Sequence, residues 1–308
     1  MAARTASVGV DVDSLCHYYR IHGLDESAAT NAAWEVGVPR FLDLFAQVGV
    51  PATFYCIAED LETEGNVARV RHLADLGHEV GNHTLHHRYD LSRLGPEEML
   101  DEVSTARAVL EAAAGAPVVG FRAPGYNTSA RLISTVFQTG HLYDTSVFPC
   151  APYYLAKAGV LGWMRLRGRE SRSILGSPRV LVAPSDPYEM SSSNPHRRGL
   201  QGGIQYPVSV AAGVPLIGTA FTALGRGPSL AATQVGLRLR NHLTIEFHAV
   251  DLLGLDDDSL DPALGMQPDL KVSVEKKYVI FKAVLDMVAR HARVERLDTL
   301  VRERGAMT

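Results

Sequence analysis

This sequence predicts an α/β fold with a parallel sheet closed toward a barrel, and three observations lead there. Short β-branched runs alternate with longer helical patterns over most of the 308 residues. The residues equipped for chemistry fall where those runs end, at Asp11 and Asp13, His83, Arg122 and His248, which is where barrel enzymes assemble their sites. Hydrophobic residues make up 46% and charged residues 21%, the balance of an ordinary globular protein able to bury such a core.

Taken in order, residues 6–12 read as a strand aimed at Asp11 and Asp13. Over 38–48, Val38, Phe41, Leu42, Phe45 and Val48 form a helical apolar face, with Pro39 suited to the first turn. Residues 51–57 form a second strand, 65–75 a helix that Gly77 stops, and 78–82 a third strand delivering His83. Pro96-Glu97-Glu98 opens a helix over 96–113, and 117–122 is a strand ending at Arg122. A helix over 130–139 and a strand over 142–147 follow. Later, 229–240 is helical, 243–248 strand, 274–291 helical and 293–297 strand. Residues 148–204, rich in Pro, Ser, Gly and Arg, read as an irregular insert in a single catalytic unit spanning 1–308.

Composition narrows the function. A net charge of −4 argues against a general nucleic-acid binder. Cys16, Cys56 and Cys150 are too scattered for a disulfide framework and lack the spacing of a thiolate zinc site. There is no apolar run of about 18 residues. Residues 1–7 carry one Arg and no apolar stretch, so no signal peptide is read and a cytoplasmic location is expected.

The stretch His83-Thr84-Leu85-His86-His87 is the most informative. Imidazoles four residues apart, His83 and His87, can face one metal ion. Two His plus one carboxylate, from Asp11-Val12-Asp13, leave a coordination position open, and the second carboxylate supplies a base. That set reads as metal-assisted hydrolysis. Each part alone is ordinary: Asp-x-Asp after a strand is commonly a turn or a cap, and a His ending an apolar strand is commonly a core residue. Glu246 is expected to alternate away from the site.

At these residues the chain resembles the polysaccharide deacetylases, carbohydrate esterase family 4, which share the NodB homology domain. Asp11-Val12-Asp13 resembles the family's paired acids, in a separated form similar to the cytoplasmic peptidoglycan-deacetylase-like and allantoinase-like branch. His83-Thr84-Leu85-His86-His87 matches His-Ser/Thr-x-x-His, and Arg122-Ala123-Pro124-Gly125-Tyr126 matches Arg-x-Pro-x-Tyr. Ile245-Glu246-Phe247-His248 resembles the late histidine motif. The family's Asp-Trp motif, whose Asp steadies the late His, has no clear counterpart; Asp144 and Asp251 are weak substitutes.

The resemblance implies a distorted (β/α)7 barrel, TIM-barrel-like, and assigns roles by position. Asp13, His83 and His87 hold a divalent metal, zinc first, with cobalt, iron or manganese as alternatives. The metal lowers the pKa of a water, and Asp11 takes its proton during attack on an amide carbonyl. A backbone N–H near Tyr126 helps stabilise the oxyanion. His248 protonates the departing amine, and Arg122 fixes Asp11 and keeps it ionised. His86 departs from the family spacing and is not taken as a ligand.

The implied reaction is N-deacetylation of an acetamido sugar in a glycan or in a lipid-linked or nucleotide-linked precursor. Opening of a cyclic ureide or imide is the rival reaction, and an inactive carbohydrate-binding module that keeps the metal is the rival class. Pro124, Tyr126, Trp163 and Arg165 are candidate substrate contacts. In the insert, an aromatic and apolar stretch from Pro152 to Leu166 precedes Arg165, Arg167, Arg169, Arg172 and Arg179, with Glu170 the only acid among them. This suits a membrane surface or a substrate phosphate, and equally a buried helix with a solvated basic loop. Peripheral contact with the inner membrane face and assembly into a homo-oligomer stay open.

Overall fold

The computed structural model describes residues 4–167 and 173–306. Its first strand, β1 (Thr5–Val12), buries Ala6, Val8, Val10 and Val12 against the surrounding helices. Strand alternation turns Ser7, Gly9 and Asp11 to the opposite face. There follow α1 (Leu15–His22), α2 (Val38–Val48), β2 (Thr53–Cys56), α3 (Asn66–Asp75), β3 (Glu79–Asn82), α4 (Pro96–Ala114), β4 (Gly120–Phe121), α5 (Ala130–Gln138) and β5 (Tyr143–Asp144). Next come α6 (Ala151–Leu166), β6 (Tyr188–Ser191), β7 (Asn194–Arg198), β8 (Gln201–Gln205), β9 (Val210–Ala211), β10 (Val214–Pro215), α7 (Gly218–Leu224) and α8 (Arg226–Leu239). The chain ends with β11 (His242–His248), α9 (Val274–His291), β12 (Arg293–Val294) and α10 (Leu297–Ala306).

The main sheet runs β11-β1-β2-β3-β4-β5-β8, with every neighbouring pair parallel, and β6 and β7 extend it antiparallel beyond β8. The sheet curls into a half-barrel, a distorted (β/α)7 barrel. Residues 209–217 lie along β11: Ser209 N–H donates to the Thr244 carbonyl at 3.0 Å, and Ile217 bridges to Glu246.

Two expectations need correction. The segment 148–204 is not irregular, because it holds α6, the β6–β7 hairpin and most of β8. Pro195 and the polar run Asn194–Arg198 disguise β7, which tolerates them because it is the edge strand of the sheet. The run at 293–297 yields only β12, which pairs with the start of β1 off the main path, so β8 is the seventh parallel strand. Arg169, Glu170 and Arg172 lie outside the described residues.

Packing on the two sides of the sheet differs. Outside, Phe41 of α2 meets Phe247 of β11 at 5.3 Å between ring centroids, and Phe247 meets Phe281 of α9 at 4.9 Å. Inside, Tyr55 and Tyr143 join through their hydroxyls at 3.1 Å, and Tyr143 donates to Glu79 at 2.9 Å. Leu297, Leu300 and Val301 of α10 pack on this cluster. The Arg122 guanidinium lies over the Tyr55 ring, 4.1 Å from its centroid. Gly9 makes that possible: a Cβ there would stand 2.9 Å from an Arg122 nitrogen and 3.2 Å from the Tyr55 ring. The absent side chain on β1 is the space Arg122 fills on its way to Asp11.

Candidate active site

Asp11 and Asp13 leave the end of β1, two residues apart and hence on one face. His83 and His87 lie on the loop after β3, which a set of local bonds shapes. His83 N–H donates to the Cys56 carbonyl at 2.9 Å, Thr84 N–H to Asn82 Oδ1 at 2.8 Å, and His87 N–H to Thr84 Oγ1 at 3.0 Å. Thr84 and His87 adopt φ of 78° and 51°, a left-handed backbone that costs a β-branched residue free energy. The loop holds that conformation and thereby turns both rings inward.

His83 Nε2 lies 3.4 Å and His87 Nε2 3.6 Å from Asp13 Oδ1. These three side chains are buried and offer ligand atoms within 4.8 Å of one another. Asp13 Oδ1 has no hydrogen-bond partner. His83 Nδ1 is engaged with the Arg122 carbonyl at 2.7 Å, which leaves Nε2 as the free electron pair. An unsatisfied buried carboxylate oxygen facing two imidazole nitrogens fits a divalent cation. Burial drives the His87 pKa well below its usual value, toward the neutral form that ligates. Burial alone would raise the Asp13 carboxyl, but His87 and His83 carry it well below the usual range.

The second half of the site centres on Asp11. Its Oδ1 accepts from Arg122 Nη1 at 2.5 Å, while Oδ2 lies 3.8 Å from His83 Nε2 and 4.0 Å from His248 Nε2. Arg122 is fully buried, and its other terminal nitrogen is 3.4 Å from Thr145 Oγ1. His248, at the end of β11, also stands 3.8 Å from Glu246. Burial would lower the His248 pKa; Glu246, Asp11, Asp13 and Asp251 together raise it to about 9, so the ring is a proton donor near neutrality.

Glu246 corrects the sequence reading. Residues two apart on a strand share a face, so Glu246 lies on the same side as His248. Its buried carboxylate accepts from the Tyr126 hydroxyl. The period of two, applied from His248, was the signal that could have found it. Asp251 accepts the backbone N–H of His248 at 2.8 Å, whereas Asp144 is bound to Ser146 and Gln205. Glu246, at 3.8 Å, therefore joins Asp11 in facing the late His ring, in place of the candidates Asp144 and Asp251.

Tyr126 adopts φ of 61°, and its N–H is taken by the Ala123 carbonyl at 3.1 Å. Its part in the site thus runs through its hydroxyl, not through its own amide. His86 turns outward and pairs with Glu102 at 2.8 Å. Asp13, His83, His87, Asp11, Tyr126 and His248 share a cavity of about 490 Å³ with Tyr18, Tyr89 and Lys157, none of which the motifs marked. Pro124 is buried and does not line that cavity; neither do Trp163 and Arg165, since α6 turns Val160, Leu161 and Met164 to it. Sequence reading also passed over His17, whose ring centroid is 4.9 Å from that of His87 and whose Nε2 is 3.2 Å from Asp60.

Residues 30–143, which include His83, His87 and Arg122, match the family model for polysaccharide deacetylase. The chain is 28% identical over 153 residues to a peptidoglycan deacetylase of Helicobacter pylori, covering 48% of this chain and 51% of that one. It is 42% identical over 87 residues to a chitooligosaccharide deacetylase of Bradyrhizobium, covering 28% and 38%. The matched part thus spans about half the length of the first relative and less of the second. A solved structure from Mycobacterium smegmatis, provisionally named a polysaccharide deacetylase, shares the fold with a TM-score of 0.61 at 16% identity, covering 100% of this chain and 92% of that one. Motif order, half-barrel and strand-end placement agree with these matches, and residues 30–143 match the polysaccharide deacetylase family.

Proposed function

We propose that this protein is a divalent-metal hydrolase that removes the acetyl group from an acetamido sugar, in a glycan or in a lipid-linked or nucleotide-linked precursor. The observation that carries the reading is Asp13 Oδ1, buried, unpartnered and 3.4 and 3.6 Å from two imidazole nitrogens, beside a second carboxylate with its own cation. A divalent ion held by Asp13, His83 and His87 supplies Lewis acidity and makes water nucleophilic at neutral pH.

The remaining chemistry belongs to side chains. Arg122 pins Asp11 through Oδ1, leaving Oδ2 turned toward His83 and His248 to accept a proton from attacking water. His248, protonated by virtue of its acidic neighbours, delivers a proton to the leaving amine. The buried Glu246 and the half-buried Tyr126 form a pair that holds the His248 side of the cavity. The peptidoglycan and chitooligosaccharide deacetylases among the relatives support an acetylated amino sugar as the substrate class.

The test is acetate and free-amine release by zinc-loaded protein on free, nucleotide-linked and lipid-linked N-acetylhexosamine, with a cyclic ureide and a cyclic imide beside them. Acetate that disappears in Asp11→Asn is the expected result. Ring opening without acetate would overturn the deacetylase reading.

A further inference from the structure

Helix α6 has an unusual distribution of apolar residues. Leu155, Gly159, Gly162, Trp163 and Leu166 follow the i, i+4, i+7, i+8, i+11 spacing of one helix face. Leu155 is 66%, Trp163 53% and Leu166 87% exposed. A second series, Tyr153, Lys157, Val160 and Met164, starts two residues earlier and is rotated from the first by about 200°, onto the opposite side. This second side lines the cavity that holds Asp11, Asp13 and His248. No residue of α6 is buried. Val160 on the cavity side is also 58% exposed, and a helix apolar on both sides, its outer side in water, needs a second apolar environment.

Charge identifies that environment. From Ala151 to Arg167 the sequence has no acidic residue, and its cations are Lys157, Arg165 and Arg167. Arg165 and Arg167 are exposed at the helix C-terminus, and the Arg167 guanidinium lies over the Trp163 ring at 4.8 Å. An exposed Trp and Leu face edged by Arg matches the boundary between acyl chains and anionic headgroups. Close by, Val180 and Ala183 pack on Tyr154 of α6, and Val182 between them is 81% exposed. Among the described residues no helix is long and apolar enough to cross a membrane, so α6 would lie in the interface.

The other side of α6 fits the same occupant. Ala156, Val160, Leu161 and Met164 form an apolar wall on the cavity, at the helix that separates it from the exposed face. Lys157 stands in that wall, its ammonium 3.3 Å from the Gly125 carbonyl. It is the one Lys or Arg among the described residues lining this cavity. An apolar wall with one cation, next to a metal site, suits a sugar joined through phosphate to a hydrocarbon chain.

We propose that α6 docks the protein on an anionic membrane surface and passes a phosphate-linked lipid glycoside from that surface to the metal site. The substrate part rests on the deacetylase reading above; the docking part does not.

The chain offers its own reporter. Of its two tryptophans, Trp34 is fully buried and Trp163 lies on the exposed face. Zinc-loaded full-length protein would be mixed with phosphatidylglycerol-rich vesicles and with pure phosphatidylcholine vesicles. Sedimentation with the anionic vesicles, at least about tenfold stronger than with neutral ones and accompanied by a blue shift of Trp emission, is expected. Trp163→Phe abolishes the shift, and Leu155→Glu/Leu166→Glu reduces vesicle binding by about tenfold or more while the protein still releases acetate from soluble chitooligosaccharide. A vesicle-borne, phosphate-linked lipid glycoside is deacetylated with a kcat/KM about tenfold above the soluble oligosaccharide, and the double variant loses that gain. Equal sedimentation with and without vesicles would overturn the docking, as would a stable dimer that the double variant dissolves. Vesicle binding without acetate from any substrate would instead defeat the deacetylase reading and leave the docking standing.

Discussion

Replacing Arg122 by Met separates the structural and chemical roles of the Asp11–Arg122 pair. The guanidinium is fully buried, 2.5 Å from Asp11 and 4.1 Å above the Tyr55 ring. Met keeps most of the stem volume but removes the guanidinium from Asp11 and Glu246, both buried, leaving His248 at 4.0 and 3.8 Å as the remaining cation beside them. Two unit charges about 4 Å apart interact by about 4 kcal/mol at an effective dielectric of about 20. Stranding one member of a buried pair costs about 3–5 kcal/mol by mutation, so the two routes agree on about 4 kcal/mol. For a chain of this size that is a fall of roughly 6 °C in melting temperature. Asp11→Asn should cost less, about 2 kcal/mol, because Arg122 keeps Glu246 as a counter-charge. The double variant should therefore cost about 2 kcal/mol less than the sum of the singles. Urea unfolding of metal-stripped protein measures all four corners. Strict additivity, or an Arg122→Met variant within about 1 kcal/mol of the parent, would refute the reasoning.

Other consequences follow from neighbouring contacts. His248→Gln should lower acetate release by about 10²–10⁴-fold while metal stoichiometry, read by elemental analysis, stays the same. Gly9→Ala places a methyl 2.9 Å from Arg122 and should cost about 1–3 kcal/mol in urea unfolding and reduce turnover, because Arg122 must move off Asp11. Glu79, raised by burial from 4.5 to about 7, keeps its proton in the folded chain where the unfolded chain has lost it. Stability should thus fall by about 3 kcal/mol as pH rises from about 4.5 to about 7, and Glu79→Gln should flatten that fall in urea titrations at several pH values.

How much was legible depended on which physical signal governed each residue. The helices at Val38–Val48 and Val274–His291 are amphipathic, the first with a proline in its opening turn, and their bounds coincide with the periodic pattern. The ladders of β4 and β5 are only two residues long, shorter than the apolar runs at 117–122 and 142–147. The flanking residues stay extended and bonded, Thr145 to Phe121 and Val208 to Val147, without continuing a regular ladder. The clustering of Asp13, His83 and His87 was readable because spacing and strand ends fix it. Glu246 was misplaced through a misapplied alternation, and Tyr18, Tyr89 and Lys157 reach the cavity only through tertiary packing, which leaves no local mark. The 148–204 segment looked irregular because edge-strand polarity and Pro195 resemble loop composition.

The central claim is that Asp13, His83 and His87 form one metal site on which hydrolysis depends. It is tested most directly by stripping the protein with chelator and following acetate release from chitooligosaccharide as zinc is added back. The account predicts that activity climbs in proportion to zinc, levels at one equivalent, and is absent at every zinc level in Asp13→Ala. Acetate release that persists in the stripped protein, or that Asp13→Ala leaves intact, would contradict it.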